Sequence, residues 1–262
     1  MSLAPLRPSD ALSTGLGETR RTRELVEELI AQPARLGPDF MPIRRLDGAT
    51  PSLAPVLGWK ATGRGAAGTE IADTLSLLEK AAALGLVERL DWAFRCHTFD
   101  VALDAGLVGE LHLTPEPETF GGACPPRLAV SWLRGRRALT VCAELHVDAF
   151  DDESRLVGAV EEMQGWGWQV VYADVSGSAA DTTARRLLAQ VRPAYVQVDL
   201  ATRGRVNDPD LVEFLDQARE AGAQVMALGV DTSADLDTAL TLGAAYGRGH
   251  LLGRGVATPR SP

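Results

Sequence analysis

Four apolar runs in the second half of the chain each end in a polar residue where a β-strand is expected to stop. These terminal residues are Asp174, Asp199, Asp231 and His250. Carboxylates and imidazoles are side chains that transfer protons and bind metal ions in many proteins. Such chemistry needs several of these groups at one place, so it depends on a fold that brings distant strand ends together.

Helical segments alternate with these apolar runs, and strand–helix alternation at this spacing indicates a parallel sheet. When a parallel sheet closes into a barrel, functional side chains gather at the carboxyl ends of its strands. A (β/α)8-type barrel would therefore bring the polar residues onto one rim. Further polar residues fall at predicted strand ends in the same way: His112, Glu144, Gln197 and Arg248.

Two interpretations of the rim carboxylates are open. Mg²⁺ and Mn²⁺ prefer oxygen ligands, so a group of carboxylates on one rim is typical of a site for these ions. Two such ions about 4 Å apart can activate a water molecule and stabilise an in-line phosphoryl displacement. Alternatively, the acidic residues cap the helices that follow, because a negative charge is favourable near a helix amino terminus.

Apolar periodicity predicts the elements that would carry the rim. A helix over residues 18–31 precedes a strand over 39–46, which runs into the turn Asp47-Gly48. A strand over 53–59 would pair with it antiparallel, so we expect a TIM-like α/β barrel with one antiparallel strand near the amino terminus. Helices are predicted at 69–83, 87–104, 153–164, 181–190, 208–221 and 233–242, and further strands at 109–114 and 138–144.

The length of 262 residues fits one barrel domain, which we expect at residues 18–256. Residues 1–17 are rich in Pro, Ser and Ala and residues 257–262 are polar, so a flexible head and a flexible tail are expected. The head lacks the apolar stretch of a signal peptide, and the chain contains no run of about 18 apolar residues. We therefore expect a cytoplasmic protein without a membrane span.

Composition narrows the class of partner. The formal net charge is −9, from 35 acidic and 26 basic residues, which argues against nucleic acid or an anionic membrane as a partner. Cys96, Cys124 and Cys142 are an odd number without C-x-x-C spacing. This pattern predicts buried reduced thiols rather than a disulfide or a zinc site.

Five motifs, in this order and spacing, resemble those of the EAL domain, the barrel that hydrolyses the bacterial second messenger cyclic di-GMP. The resemblance spans residues 22–255. The motifs are Phe-Met-Pro-Ile at 40–43, Leu-Gly-Leu-Val-Glu-Arg-Leu-Asp at 84–91, Leu-His-Leu-Thr-Pro at 111–115, Ala-Leu-Gly-Val-Asp-Thr at 227–232 and Arg-Gly-His-Leu-Leu-Gly-Arg at 248–254. They are similar to the family's Phe/Tyr-Gln-Pro-Ile, Leu-Gly-Leu-Ile-x-x-Leu-Asp, Val-Asn-Leu-Ser-Pro, Ala-Glu-Gly-Val-Glu-Thr and Gln-Gly-Tyr-Leu-Phe-Gly-Arg.

Most residues that the resemblance assigns to catalysis are replaced. Val56 stands at the metal-binding glutamate of the family's Glu-Ala-Leu motif, and Leu228 stands at another glutamate. Gln197 stands at the family's lysine, and an amide can neither carry its charge nor take a proton. No catalytic residue is therefore expected, and two-metal hydrolysis is not expected.

The resemblance also defines a vestigial rim. Its members are Val56, His112, Glu144, Asp174, Asp199, Leu228 and Asp231. His112 replaces an asparagine, and Asp174 is the single aspartate left of an Asp-Asp pair, so which family aspartate it represents stays open. His112, Glu144, Asp174 and Asp199 could hold one Zn²⁺ or Mn²⁺ ion, although a histidine hydrogen-bonded to neighbouring carboxylates explains the same set.

Ligand binding without hydrolysis is a separate expectation. Lys60 stands at the family's phosphate-contacting arginine and keeps the charge without the bidentate fork. Met41 and Arg248 replace two glutamines of the family, and Arg248 either contacts a phosphate or guanine or lies in solvent. Trp59, beside the lost glutamate, belongs to the core or fills the pocket. Binding of cyclic di-GMP is therefore expected only in a weakened form.

We thus expect a degenerate EAL domain that acts in bacterial cyclic di-GMP-related signalling by binding rather than by hydrolysis. Its partner would be a protein that the sequence does not identify, and self-association is expected because EAL domains often dimerise. No cofactor is expected. The alternative is an active or residual metal-dependent cyclic di-GMP phosphodiesterase, which would need Mg²⁺ or Mn²⁺.

Overall fold

The computed structural model of the protein describes residues 8–46, 50–173, 175, 178–201 and 208–259, with side chains except at 8–18 and 178–181. The predicted turn Asp47-Gly48 and the rim residue Asp174 lie outside the described residues. Within the described ranges, no helix has the length and apolar character needed to cross a membrane.

Eight strands form the barrel: β1 (Gly37–Arg45), β2 (Val56–Arg64), β3 (Glu110–Leu113), β4 (Thr140–His146), β5 (Gln169–Ala173), β6 (Tyr195–Asp199), β7 (Gln224–Leu228) and β8 (Tyr246–Arg248). They close into a barrel in sequence order. Strand β1 is antiparallel to both of its neighbours, whereas β2 to β8 run parallel to one another. The predicted fold class, including the single antiparallel strand, is confirmed.

The helices are α1 (Pro8–Ala31), α2 (Thr74–Ala83), α3 (Val87–Asp104), α4 (Ala129–Ala138), α5 (Glu153–Gly165), α6 (Ser178–Val191), α7 (Pro209–Glu220) and α8 (Ser233–Thr241). Helices α3 and α5 to α8 lie close to the predicted positions. At the far end of the chain, Val256 exchanges backbone hydrogen bonds of 2.8 and 2.9 Å with Phe40 and so pairs with β1.

Three element boundaries differ from the prediction. Helix α1 begins at Pro8 rather than at Glu18, since proline fits the first helical turn, where its missing N–H is not needed. Helix α2 begins at Thr74 rather than Thr69, because Asp73 accepts a hydrogen bond of 2.9 Å from the amide of Ser76 and caps the helix. Strand β2 begins after a 3-10 turn over Pro51–Leu53, so its predicted start at 53 was too early.

Helix α4 was not predicted. Its buried residues are Trp132 and Gly135, which are too few to form an apolar stripe that periodicity would detect. The backbone of α4 approaches α3 closely, because a Cβ at Gly135 would lie 2.2 Å from the ring of Phe99. This contact requires glycine and obscures the helical pattern.

The barrel wall separates two apolar regions, since successive strand residues face opposite sides. On β4, Val141 and Ala143 pack in a large cluster facing the helices, whereas Cys142 belongs to a small cluster inside the barrel. The other members of the interior cluster are Ile43, Val171, Tyr195 and Met226. Trp59 packs in the helix-facing cluster, so it is a core residue rather than a plug of the barrel.

An aromatic cluster between α3, α4 and the start of β5 encloses a buried arginine. The guanidinium of Arg95 lies 4.7 Å from the ring centre of Trp92 and 5.5 Å from that of Trp168. It pairs with Asp91 one turn earlier on α3, and only 1% of the Arg95 side chain is exposed. The three cysteines are free thiols, as predicted, with Cys96 and Cys142 buried and Cys124 half-buried.

Candidate functional site

Glu144 is the centre of the polar cluster inside the barrel. It follows Cys142 on the inward face of β4, and its side chain is 2% exposed. A carboxylate in such a position requires positive or hydrogen-bonding partners, because burial of an isolated charge is very unfavourable. The surrounding strands supply four of them.

Two cations contact Oε2 of Glu144. Lys60 on β2 brings its Nζ to 2.6 Å, and Arg248 at the end of β8 brings Nη2 to 3.5 Å. The ammonium of Lys60 also donates to Oγ1 of Thr114. Arg248 is 16% exposed at its side chain, so it is an interior residue rather than a solvated surface arginine.

Gln197 and His112 contact the other oxygen of Glu144. Gln197 on β6 donates from Nε2 to Oε1 at 2.7 Å. His112 on β3 places Nδ1 3.3 Å from the same oxygen, but without the alignment of a hydrogen bond. His112 Nε2 lies 3.0 Å from Glu110 Oε2, so the imidazole is held between two carboxylates.

The charges around Glu144 determine its ionisation. Burial by itself would raise the pKa of Glu144, but Arg248, Lys60 and His112 together hold it well below the ordinary value. Burial lowers the pKa of Lys60, with the opposing charge of Glu144 working in the other direction. The carboxylate is therefore ionised throughout the physiological range and holds both cations in the barrel.

The other rim positions do not join this cluster. Val56 and Leu228 are half-buried and pack against apolar neighbours. Asp199 accepts a hydrogen bond of 2.9 Å from the amide of Ala201, in the turn after its strand. Asp231 is exposed and accepts hydrogen bonds from His250, at 2.7 Å from the amide and 3.0 Å from Nδ1. These two aspartates serve as loop and turn acceptors.

A cavity of about 330 Å³ lies beside Lys60, between β2, α2 and α3. Its walls are mainly apolar, with Leu77 and Phe94 among them, and Glu116 lines it from the loop after β3. Burial, together with the nearby charge of Asp91, raises the pKa of Glu116 to about 7. The cavity thus offers apolar space next to the cationic end of the polar cluster.

Comparison with solved structures defines the fold. The EAL domain of FimX from Xanthomonas citri, in complex with c-diGMP, is 16% identical with a TM-score of 0.73, over 95% of this chain and 99% of that one. A standalone EAL protein from Vibrio cholerae in a c-di-GMP-bound form is 18% identical with a TM-score of 0.66, over 86% and 94% of the two chains. YkuI of Bacillus subtilis, which has an EAL domain and was solved with c-di-GMP and calcium, is 15% identical with a TM-score of 0.68, over 90% and 58%.

The chain has the EAL fold. Neither a protein-family model nor a curated protein sequence matches it. The likeness to known proteins therefore lies in the barrel fold.

The residues that the structure describes do not fit a Mg²⁺ or Mn²⁺ ion at the rim of this EAL fold. Such ions need several oxygen ligands. Among the described residues that the resemblance assigns to this rim, Val56 and Leu228 have no donor atom, and Asp199 makes a turn hydrogen bond. Asp231 is exposed and accepts hydrogen bonds from His250, and Glu144 is neutralised by an ammonium and a guanidinium. A cation placed there would meet two positive charges.

Several residues of the interior cluster were not predicted from the sequence. Glu110 and Thr114 lie on either side of His112 at spacings of two residues, and Cys142 lies two before Glu144. This alternation is the signal that could have found them, because residues two apart on a strand share one face. Tyr195, whose hydroxyl donates to Glu110 at 3.0 Å, follows the same rule relative to Gln197.

Proposed function

We propose that this protein is a degenerate member of the EAL family that acts in cyclic di-GMP-related signalling by binding, without phosphodiesterase activity. The observation that carries the proposal is that Lys60 and Arg248 both contact the carboxylate of Glu144. Two fixed cations stand where hydrolysis would require a metal ion, and they cannot supply an activated water molecule.

Position 197 also lacks a general base. Gln197 donates its amide hydrogen to Glu144 and has no basic nitrogen. Lys60 is held between Glu144 and Thr114, so its ammonium is committed to two acceptors inside the barrel. A strongly acidic Glu144 is a poor proton acceptor. Each of these groups thus argues against activation of water.

Binding of an anion is still supported by the charge balance. The contacts at Glu144 combine one carboxylate with two cations, which leaves one excess positive charge near the end of β8. A phosphodiester such as that of cyclic di-GMP is complementary to this charge. For a protein partner or a second copy of the chain, we propose the surface of the outer helices.

Calorimetry with the full chain tests this function. Purified protein is titrated with cyclic di-GMP, with and without Mg²⁺ or Mn²⁺, and the solution is assayed for the linear product. We expect no linear product. If the nucleotide binds, R248M should weaken it at least tenfold, whereas R254M, at an exposed position of the same loop, should leave it unchanged.

Two results separate the parts of the proposal. Linear product formed at a rate that D199N abolishes would overturn the non-catalytic assignment. A complete absence of nucleotide binding would exclude cyclic di-GMP as the ligand and would leave the protein-interaction module.

A further inference from the structure

A second group of ligand-type side chains lies nearer the amino-terminal ends of the strands than Glu144. Glu110, His112 and Cys142 each offer one atom, and these three atoms lie within 4.8 Å of one another. Residues 112 and 142 are directly paired across β3 and β4, which accounts for the convergence. Cysteine spacing predicted no zinc site at the cysteines, and the possible metal set predicted around His112 included neither Glu110 nor Cys142.

We propose that Glu110, His112 and Cys142 bind one Zn²⁺ ion. A carboxylate oxygen, an imidazole nitrogen and a thiolate are the three donor types that zinc accepts, and a water molecule can complete four-coordination. Zinc–ligand bonds of about 2.0–2.3 Å place tetrahedral ligand atoms about 3.3–3.6 Å apart. The pair Glu110 Oε2 and His112 Nε2 lies at 3.0 Å, so only a small opening of this contact is needed.

The surroundings match the outer shell of a zinc site. A histidine that binds zinc normally presents its other ring nitrogen to a carboxylate or carbonyl, which fixes the ring. His112 Nδ1 faces Glu144 Oε1 at 3.3 Å and has no aligned hydrogen bond among the described residues. The hydroxyl of Tyr195 donates to the second oxygen of Glu110 at 3.0 Å. Both outer contacts are therefore present before the ion is added.

Charge and access also agree with a divalent ion. The Glu110 carboxylate and a Cys142 thiolate together neutralise Zn²⁺, which avoids a net buried charge. Binding converts the Cys142 thiol to a thiolate and releases one proton to solvent, while the zinc–sulfur bond forms. Glu110 is the first residue of β3 and its side chain is 14% exposed, so an ion can reach the site from the amino-terminal end of the strands.

Cobalt is the probe for this site. The full chain, freed of metal with a chelator, is titrated with Co²⁺ and followed by absorption spectroscopy. We expect one equivalent to produce a near-ultraviolet thiolate-to-metal band together with the visible bands of tetrahedral cobalt, and Zn²⁺ to displace it. C142S should remove the thiolate band, whereas C124S and C96S serve as matched cysteine controls and should retain it.

Further variants keep the test decisive when C142S does not fold. E110Q, at the partly exposed ligand, should lower the affinity for Co²⁺ at least tenfold while the thiolate band persists at saturation. Y195F should lower it less, because its hydroxyl only orients Glu110. Circular dichroism verifies the fold of each variant. Absence of a thiolate band in the wild type, survival of the band in C142S, or unchanged affinity in E110Q would each overturn the proposal, and none of these results depends on nucleotide binding.

Discussion

Replacement of Lys60 by methionine tests whether the ion pair with Glu144 organises the barrel interior. Methionine retains most of the length of the side chain and removes the charge. The ammonium lies 2.6 Å from Oε2 of Glu144, and the two side chains are 5% and 2% exposed. K60M should therefore leave a buried carboxylate with less compensation, at little cost in packing.

The magnitude follows from the groups that remain. Removing one partner of a buried pair costs about 3–5 kcal/mol, because the other charge stays buried. Arg248 and Gln197 still contact Glu144 in K60M, so we expect the lower end, about 3 kcal/mol. E144Q leaves two cations without their shared carboxylate and should cost more, about 4–5 kcal/mol. The double variant K60M/E144Q should cost about 2 kcal/mol less than the sum of the two.

Urea unfolding at pH 7, followed by circular dichroism, measures these differences. With an m-value near 3 kcal/mol/M, K60M should lower the midpoint by about 1 M. The pKa of Glu144 is held well below its ordinary value, so the stabilisation is present above the unfolded pKa and is lost as pH falls through the folded one. The K60M penalty should therefore persist from pH 7 to pH 5. Additivity of the two single variants within about 0.5 kcal/mol would refute the coupling.

Three other changes have expected outcomes. The pKa of Glu116 is raised from 4.5 to about 7, so its neutral form favours the folded state. The free energy of unfolding of the wild type, relative to that of E116Q, should therefore fall between pH 4.5 and 7, by at most about 3 kcal/mol. A difference in urea midpoints that does not change with pH would contradict this. R95M should lower the free energy of unfolding by about 3–5 kcal/mol in the same assay, because it leaves Asp91 buried without its cation. It should also shift tryptophan emission. Unchanged stability would show that Arg95 does not stabilise the fold through Asp91. G135A should lower the free energy of unfolding by about 1–3 kcal/mol through overpacking against Phe99. G158A, in open space on α5, should raise it by about 0.5–1 kcal/mol. Thermal melts measure both effects, and equal effects would contradict the close contact at Gly135.

Strand alternation and length made most of the barrel predictable. The runs ending at Asp199 and Asp231 contain β6 and β7, which are buried on both faces and therefore appear in the sequence as continuous apolar runs. Helix α4 was not predicted because its buried face consists of Trp132 and Gly135, and the glycine that close packing requires lowers helix propensity. The start of α1 was predicted too late because a proline can stand at the start of a helix as well as after its end.

The site was predictable as a set of positions but not as a set of contacts. His112, Glu144 and Gln197 were found from strand ends and motif order, and all three face the barrel interior. That Lys60 reaches Glu144 could not be predicted, because it depends on the stagger between β2 and β4, two strands apart in the barrel. Arg248 reaches the same carboxylate oxygen from the end of β8.

The polar interior is organised around one buried carboxylate, that of Glu144. Val56 and Leu228 have no donor atoms. Glu144 alone would therefore hold a divalent ion weakly, since each oxygen ligand contributes to affinity. It would also be unstable as an uncompensated buried charge. Lys60 and Arg248 solve this second problem, because as covalently attached cations they neutralise Glu144 at every metal concentration. The same solution excludes a metal from that oxygen pair. An ion inside this barrel therefore has to use donors that Lys60 and Arg248 do not reach.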